Sequence, residues 1–112
     1  PPACDFYFGA IVRRGPLQIM ISTNGNGPRI SALIKERIER ALPEDVGQAI
    51  EKVGNLRRKL RERAPDVGGA LGRRRMKWMT GICNQWSFEE LALMDEDAMD
   101  KLLDNGWENN VV

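Results

Sequence analysis

The stretch Leu17–Leu42, LQIMISTNGNGPRISALIKERIERAL, constrains the fold more than any other part of the chain. An apolar run stops at a cluster of Asn and Gly, and a helix-period pattern restarts at Pro28. The glycines of Thr23-Asn24-Gly25-Asn26-Gly27 reach φ > 0 without strain, as a tight turn requires. Pro28 suits the first helical position, where its missing N–H costs nothing. Ile30, Leu33, Ile34, Ile38, Ala41 and Leu42 then recur on one stripe. A strand therefore hands the chain directly to a helix N-terminus. The free N–H groups of that first turn and the positive end of the helix dipole favour an anion there.

Upstream, Cys4–Val12 (CDFYFGAIV) is rich in aromatic and β-branched residues and reads as a strand buried on both faces. Gly9 within it marks a bulge or a close backbone approach. Arg13–Pro16 is expected as the turn and Leu17–Ser22 as the second strand. A hairpin and a crossover to a partner subunit are both compatible with that spacing. An isolated hairpin is marginal, so these strands should complete a sheet or pack on helices.

Downstream, Pro43 ends the first helix, and Glu44–Arg63 forms a second with Val46, Ala49, Ile50, Val53, Leu56 and Leu60 on its apolar face. Gly47 and Gly54 share one side of it, which points to close helix–helix approach. A third helix runs from Val67 or Leu71 to Cys83, with Leu71, Trp78, Met79 and Ile82 as core candidates. Ser87-Phe88-Glu89-Glu90 is a capping box, and Asp95 caps a last helix carrying Ala98, Met99, Leu102 and Leu103. Gly106 is expected as its C′ stop and residues 109–112 as frayed. The fold class is α+β, two short strands followed by four or five helices. Residues 1–42 form a strand-strand-helix element and 43–112 a helical region.

The chain has 112 residues, enough for one domain or a piece of a larger protein. It opens Pro1-Pro2 without methionine, which points to an excised fragment. No apolar run approaches the ~20 residues of a membrane span, and no signal-peptide pattern is present. Two cysteines, Cys4 and Cys83, make no disulfide framework, so a reducing cytosol is expected. There is no histidine, which removes the usual general base and the commonest transition-metal ligand. The net charge of +1 hides a basic segment from Arg57 to Lys77 and an acidic one from Glu89 to Glu108. The two either pair internally or leave the basic one to an anion, with pairing and plain solvation the preferred reading.

Gly25-Asn26-Gly27-Pro28-Arg29-Ile30 approaches the G-x-G-x-x-G dinucleotide fingerprint. Ile30 stands where a third glycine is needed for close helix–strand packing, and Pro28 removes a phosphate-facing N–H. Glu44 and Asp45 begin a helix instead of ending a second parallel strand. The remaining readings are a plain β–α turn, or an anion site holding a ligand carboxylate with Ser22, Thr23, Asn24 and Arg29. A nucleic-acid surface on the basic run is a secondary reading, because no helix-turn-helix or interleaved aromatic pattern accompanies it. The acidic tail lacks EF-hand spacing.

Several segments, in order, resemble the middle of fungal siroheme synthases: Cys4-Asp5-Phe6-Tyr7-Phe8-Gly9-Ala10, Leu17–Gly25, Pro28-Arg29, Ala32-Leu33-Ile34, Val53–Arg58 and Ala64-Pro65-Asp66. Beyond Val67 only helical character matches. The resemblance implies a bifunctional precorrin-2 dehydrogenase and sirohydrochlorin ferrochelatase built from an NAD-binding domain, a dimerisation domain and a small helical region. This chain would be the last two, a homodimer associating through its strands and first helices. NAD would bind the parent protein and not this fragment, and ferrous iron would be a substrate. The family's catalytic aspartate lies in an Asn-Val-x-Asp segment that is missing here, and Asp5 is not it. The fragment alone is therefore expected to be inactive, and a non-catalytic interaction module is the alternative to this reading. The implied substrate site, for tetrapyrrole carboxylates, is Ser22, Thr23, Asn24, Gly25, Gly27 and Arg29. Gly27 stands where the family usually has serine, so a hydroxyl cap there is lost. No metal-binding residue, membrane contact or nucleic-acid partner is implied.

Overall fold

The hairpin at the start of the computed structural model, which describes residues 10–111, is closed within one chain. Strand β1 (Ala10–Arg14) pairs antiparallel with β2 (Leu17–Ile21), with Arg14 opposite Leu17. Gly15 and Pro16 are the whole loop, so Arg13 and Arg14 belong to the strand and not to the turn. Gly15 at φ 57°, followed by a proline with fixed negative φ, is the glycine-first hairpin turn whose twist matches the strands. Residues 4–9 of the expected first strand lie outside the described residues. In the part described, burial on both faces does not hold: Val12 is buried, while Ile11 is half-buried and Arg13 exposed.

Helix α1 (Pro28–Ala41) lies against the hairpin, with Arg14 reaching Glu39 at 3.6 Å. The only residue it buries is Ser31. Its apolar stripe faces outward instead, leaving Ile30, Leu33 and Ile34 exposed. Helix α2 (Val46–Arg63) begins two residues later than expected, behind a turn in which Val46 N–H donates to the Pro43 carbonyl. It joins the two halves of the molecule. Gly47 explains the junction. A Cβ there would stand 3.0 Å from the Arg14 carbonyl oxygen and 3.3 Å from the Gly15 nitrogen. The close approach is therefore to the hairpin and not to another helix, and Gly54 has open space around it.

Helices α3 (Gly69–Gln85), α4 (Phe88–Ala92) and α5 (Glu96–Leu102) wrap the other half of α2. Their shared core contains Leu56, Leu60, Trp78, Ile82, Leu91, Met94, Met99, Leu103 and Trp107. The capping box forms: Glu90 N–H donates to Ser87 Oγ at 3.0 Å and Ser87 N–H to Glu90 Oε1 at 2.8 Å. Asp95 Oδ1 accepts from Ala98 N–H at 2.8 Å.

Gly106 does not stop the last helix. The chain widens into a π turn, Leu103–Trp107, with Glu108 N–H donating to the Leu103 carbonyl. Glycine is needed there for packing instead: a Gly106 Cβ would stand 2.8 Å from the Val111 carbonyl oxygen and 3.4 Å from the Trp78 ring. Nor are residues 109–111 frayed. Val111 N–H donates to the Gly106 carbonyl at 2.7 Å, and the Val111 carbonyl accepts from Trp78 Nε1 at 2.8 Å. Trp78 and Trp107 meet edge to face at 6.0 Å, and the Arg74 guanidinium sits 3.8 Å over Trp107.

The molecule measures 53 × 30 × 18 Å with a radius of gyration of 18.3 Å. A compact chain of this length would have about 13 Å. The hairpin–α1 half projects from the helical half and leaves its apolar face uncovered.

Candidate functional site at the strand-to-helix corner

The corner between β2 and α1 is a β-turn, Thr23–Asn26, closed by Asn26 N–H to the Thr23 carbonyl at 3.1 Å. Positive φ at both central residues, 53° at Asn24 and 80° at Gly25, selects Asn-Gly there. Asn26 Nδ2 reinforces the same carbonyl at 2.7 Å, and Asn24 N–H donates to Ser22 Oγ at 3.2 Å. Gly27 caps α1 at φ 140° with no side-chain cap bond, a backbone conformation that residues with a side chain rarely adopt.

Thr23 Oγ1 lies 3.3 Å from Ser31 Oγ, and each hydroxyl is 3.4 Å from the Gly27 carbonyl. Thr23 thus turns inward and secures the first turn of α1. Ser22, Asn24, Gly25 and Arg29 stand exposed at the helix N-terminus, while Thr23 and Gly27 are half-buried in the corner's own framework. The corner presents a guanidinium, an amide side chain, a hydroxyl and the uncapped first turn of a helix. That set suits a carboxylate.

It does not suit a dinucleotide. β2 is the second strand of an antiparallel hairpin, and α1 leads into α2 instead of a parallel strand. Pro28 at N1 offers no N–H, and Ile30 carries its side chain towards Gly27.

The basic segment divides into three parts. Lys59 Nζ meets Glu96 at 2.6 Å and Asp100 at 3.1 Å, and Arg63 meets Asp104 at 2.7 Å and Glu108 at 3.4 Å. The hydrogen bond that it donates to Glu96, then the one to Asp100, holds the Lys59 ammonium above its ordinary pKa. Asp104 does the same for Arg63. Arg74 and Arg75 serve structure: Arg74 donates to the Trp107 carbonyl and Arg75 to the Ala64 carbonyl at the end of α2. Arg57, Arg58, Arg61, Arg73 and Lys77 remain exposed. Two of these, Arg57 and Arg61, rim a groove between α2 and α3 that the sequence reading missed. Their i,i+4 spacing on one helix and the nearby Met76 and Met79 were the available signal. Among the described residues no three His, Cys, Asp or Glu side chains gather as a metal site, and no helix is long and apolar enough to cross a membrane.

Residues 43–112 match the family model described as sirohaem biosynthesis protein C-terminal, and residues 14–41 the one described as sirohaem biosynthesis protein central. The chain is 52% identical over 103 residues to the siroheme biosynthesis protein met8 of Schizosaccharomyces pombe, covering 92% of this chain and 38% of that protein. It is 32% identical over 107 residues to the siroheme synthase of Psychrobacter sp. (strain PRwf-1), covering 93% of this chain and 21% of the relative. It is 30% identical over 99 residues to that of Salmonella paratyphi B, covering 88% of this chain and 21% of the relative. The chain thus spans between a fifth and two fifths of the length of these relatives. No solved structure matches it significantly.

Proposed function

Because the chain belongs to the sirohaem biosynthesis protein family, we propose that it supplies the self-association element and one wall of the tetrapyrrole cleft in an enzyme that oxidises precorrin-2 to sirohydrochlorin and inserts ferrous iron to give sirohaem. The observation that carries this reading is the consecutive match of a central and a C-terminal family model across the described fold.

The substrates carry eight carboxylates around a tetrapyrrole ring. Arg29, Asn24, Ser22 and the open first turn of α1 receive some of these, while Thr23 and Gly27 keep the corner in shape. NAD, the hydride acceptor for such an oxidation, does not fit this corner, and hydride transfer is assigned to another part of the parent enzyme. Ferrous iron enters as a substrate, and no residue of this chain is assigned to it. The cytosol is the compartment such chemistry and two sparse cysteines favour.

Self-association is supported by the outward stripe of α1. Ile30, Leu33 and Ile34 make an exposed apolar stripe on the half that projects from the helical core. A two-fold homodimer would cover it with its own copy.

The decisive experiment for the cleft substitutes Asn24→Ala and Arg29→Ala in the complete enzyme and titrates precorrin-2. Loss of charge-assisted hydrogen bonds should weaken binding about tenfold. Unchanged affinity would sink the assignment.

A further inference from the structure

The groove between α2 and α3 lies apart from the corner and plays no part in the reading above. Its volume of about 460 Å³ is within the roughly 300–1,000 Å³ of small-molecule sites. Val53, Leu60, Met76 and Met79 make it apolar, and Arg57, Arg61 and Arg75 are its only charged lining residues. Arg57 and Arg61 stand one turn apart on α2, exposed and without an ion-pair partner among the described residues. On the same helix Lys59 and Arg63 are engaged by the acidic segment. One side of α2 is therefore neutralised, and the other keeps its cations beside an apolar trough. Met76, 71% exposed, lies open at the surface of that trough.

A largely apolar trough whose only charged lining groups are guanidiniums complements a flat apolar body with carboxylates on its rim. Arginine forks bind carboxylates in pairs, and thioethers pack well against conjugated rings. We propose that the α2–α3 groove is a second binding site for a polycarboxylate tetrapyrrole, separate from the Ser22–Arg29 corner. This rests on the sirohaem reading, which brings such molecules to the chain. The groove takes one edge of the macrocycle and leaves the rest in solvent.

The test is a titration of the 112-residue chain with uroporphyrin III, an octacarboxylate, followed by porphyrin fluorescence. Saturable binding is expected. Arg57→Ala with Arg61→Ala should weaken it about tenfold, as should Met76→Asp, while Asn24→Ala with Arg29→Ala should leave groove binding in place. All three groove positions are exposed, so circular dichroism should show the fold retained. Unchanged affinity in both groove variants overturns the site. So does loss confined to the Asn24 and Arg29 variant, which leaves the cleft assignment standing. Absence of porphyrin binding, with saturable binding of an acidic peptide instead, overturns it in favour of a protein partner. Failure of the cleft reading registers elsewhere, as unaltered precorrin-2 affinity in the complete enzyme's corner variants.

Discussion

Trp78 and Val111 are joined by a hydrogen bond from indole Nε1 to a main-chain carbonyl, 2.8 Å long and spanning 33 residues. It ties the end of the described chain to the middle of α3, and Trp78 is buried. Removing residues 110–112 should strand the buried indole N–H and cost about 1–3 kcal/mol of stability. Trp78→Phe should itself destabilise, but the truncation should then cost less in that background, because no donor is left unpaired. Urea unfolding of the four proteins closes the cycle. Additive losses would show that the bond contributes nothing.

Gly47 and Gly54 look alike in the sequence and should respond oppositely to alanine. In a helix interior, alanine is favoured over glycine by up to about 1 kcal/mol. Gly54 has open space, so Gly54→Ala should stabilise by that order. At Gly47 a Cβ would press on the Arg14 carbonyl at 3.0 Å, so Gly47→Ala should separate hairpin and helix and destabilise. Thermal melts decide it, and a gain at position 47 would refute the packing described.

That contrast shows what the sequence could and could not convey. Local signals were legible. Pro28 sets a helix start through its fixed φ, and the Ser87–Glu90 box and Asp95 do so through hydrogen bonds within three residues, which form. Features decided by distant atoms were not. Gly106 resembles a helix stop, yet it lies inside a π turn with Trp78 and Val111 packed against it. The α1 stripe signals amphipathicity without saying which body covers it, and in the single chain it faces outward. The Thr23–Asn26 turn was visible in its Asn-Gly pair, whereas the inward turn of the Thr23 hydroxyl depends on Ser31, eight residues on. The α2–α3 groove required two helices to be placed side by side.

Lys59 bridges Glu96 and Asp100 and should couple α2 to α5. The pair is solvent-accessible, so a Lys59–Asp100 double-mutant cycle should give a small favourable coupling that falls with salt. Because the folded-state pKa of Lys59 is raised above 10.5, its contribution is complete below that pH. The contribution fades as pH rises through the folded value. The stability difference between the wild type and Lys59→Met should therefore be flat through neutral pH and shrink above about pH 10.5. A difference that grows with alkalinity would contradict the bridge.

Leu33 and Ile34 test the self-association proposal most directly. They are 40% and 37% exposed on a helix that buries only Ser31, so charge placed there disturbs little within one chain. Across a two-fold interface it would bring like charges together in a desolvated patch, and even one unpaired buried charge is costly. Leu33→Glu with Ile34→Glu should shift sedimentation from dimer to monomer while helix content is retained. Leu93→Glu is the control: Leu93 is 83% exposed on the opposite, helical half and should leave the dimer intact. A wild-type chain that sediments as a monomer at all concentrations would remove the self-association role from these residues. Equal dissociation by both variants would place the interface elsewhere.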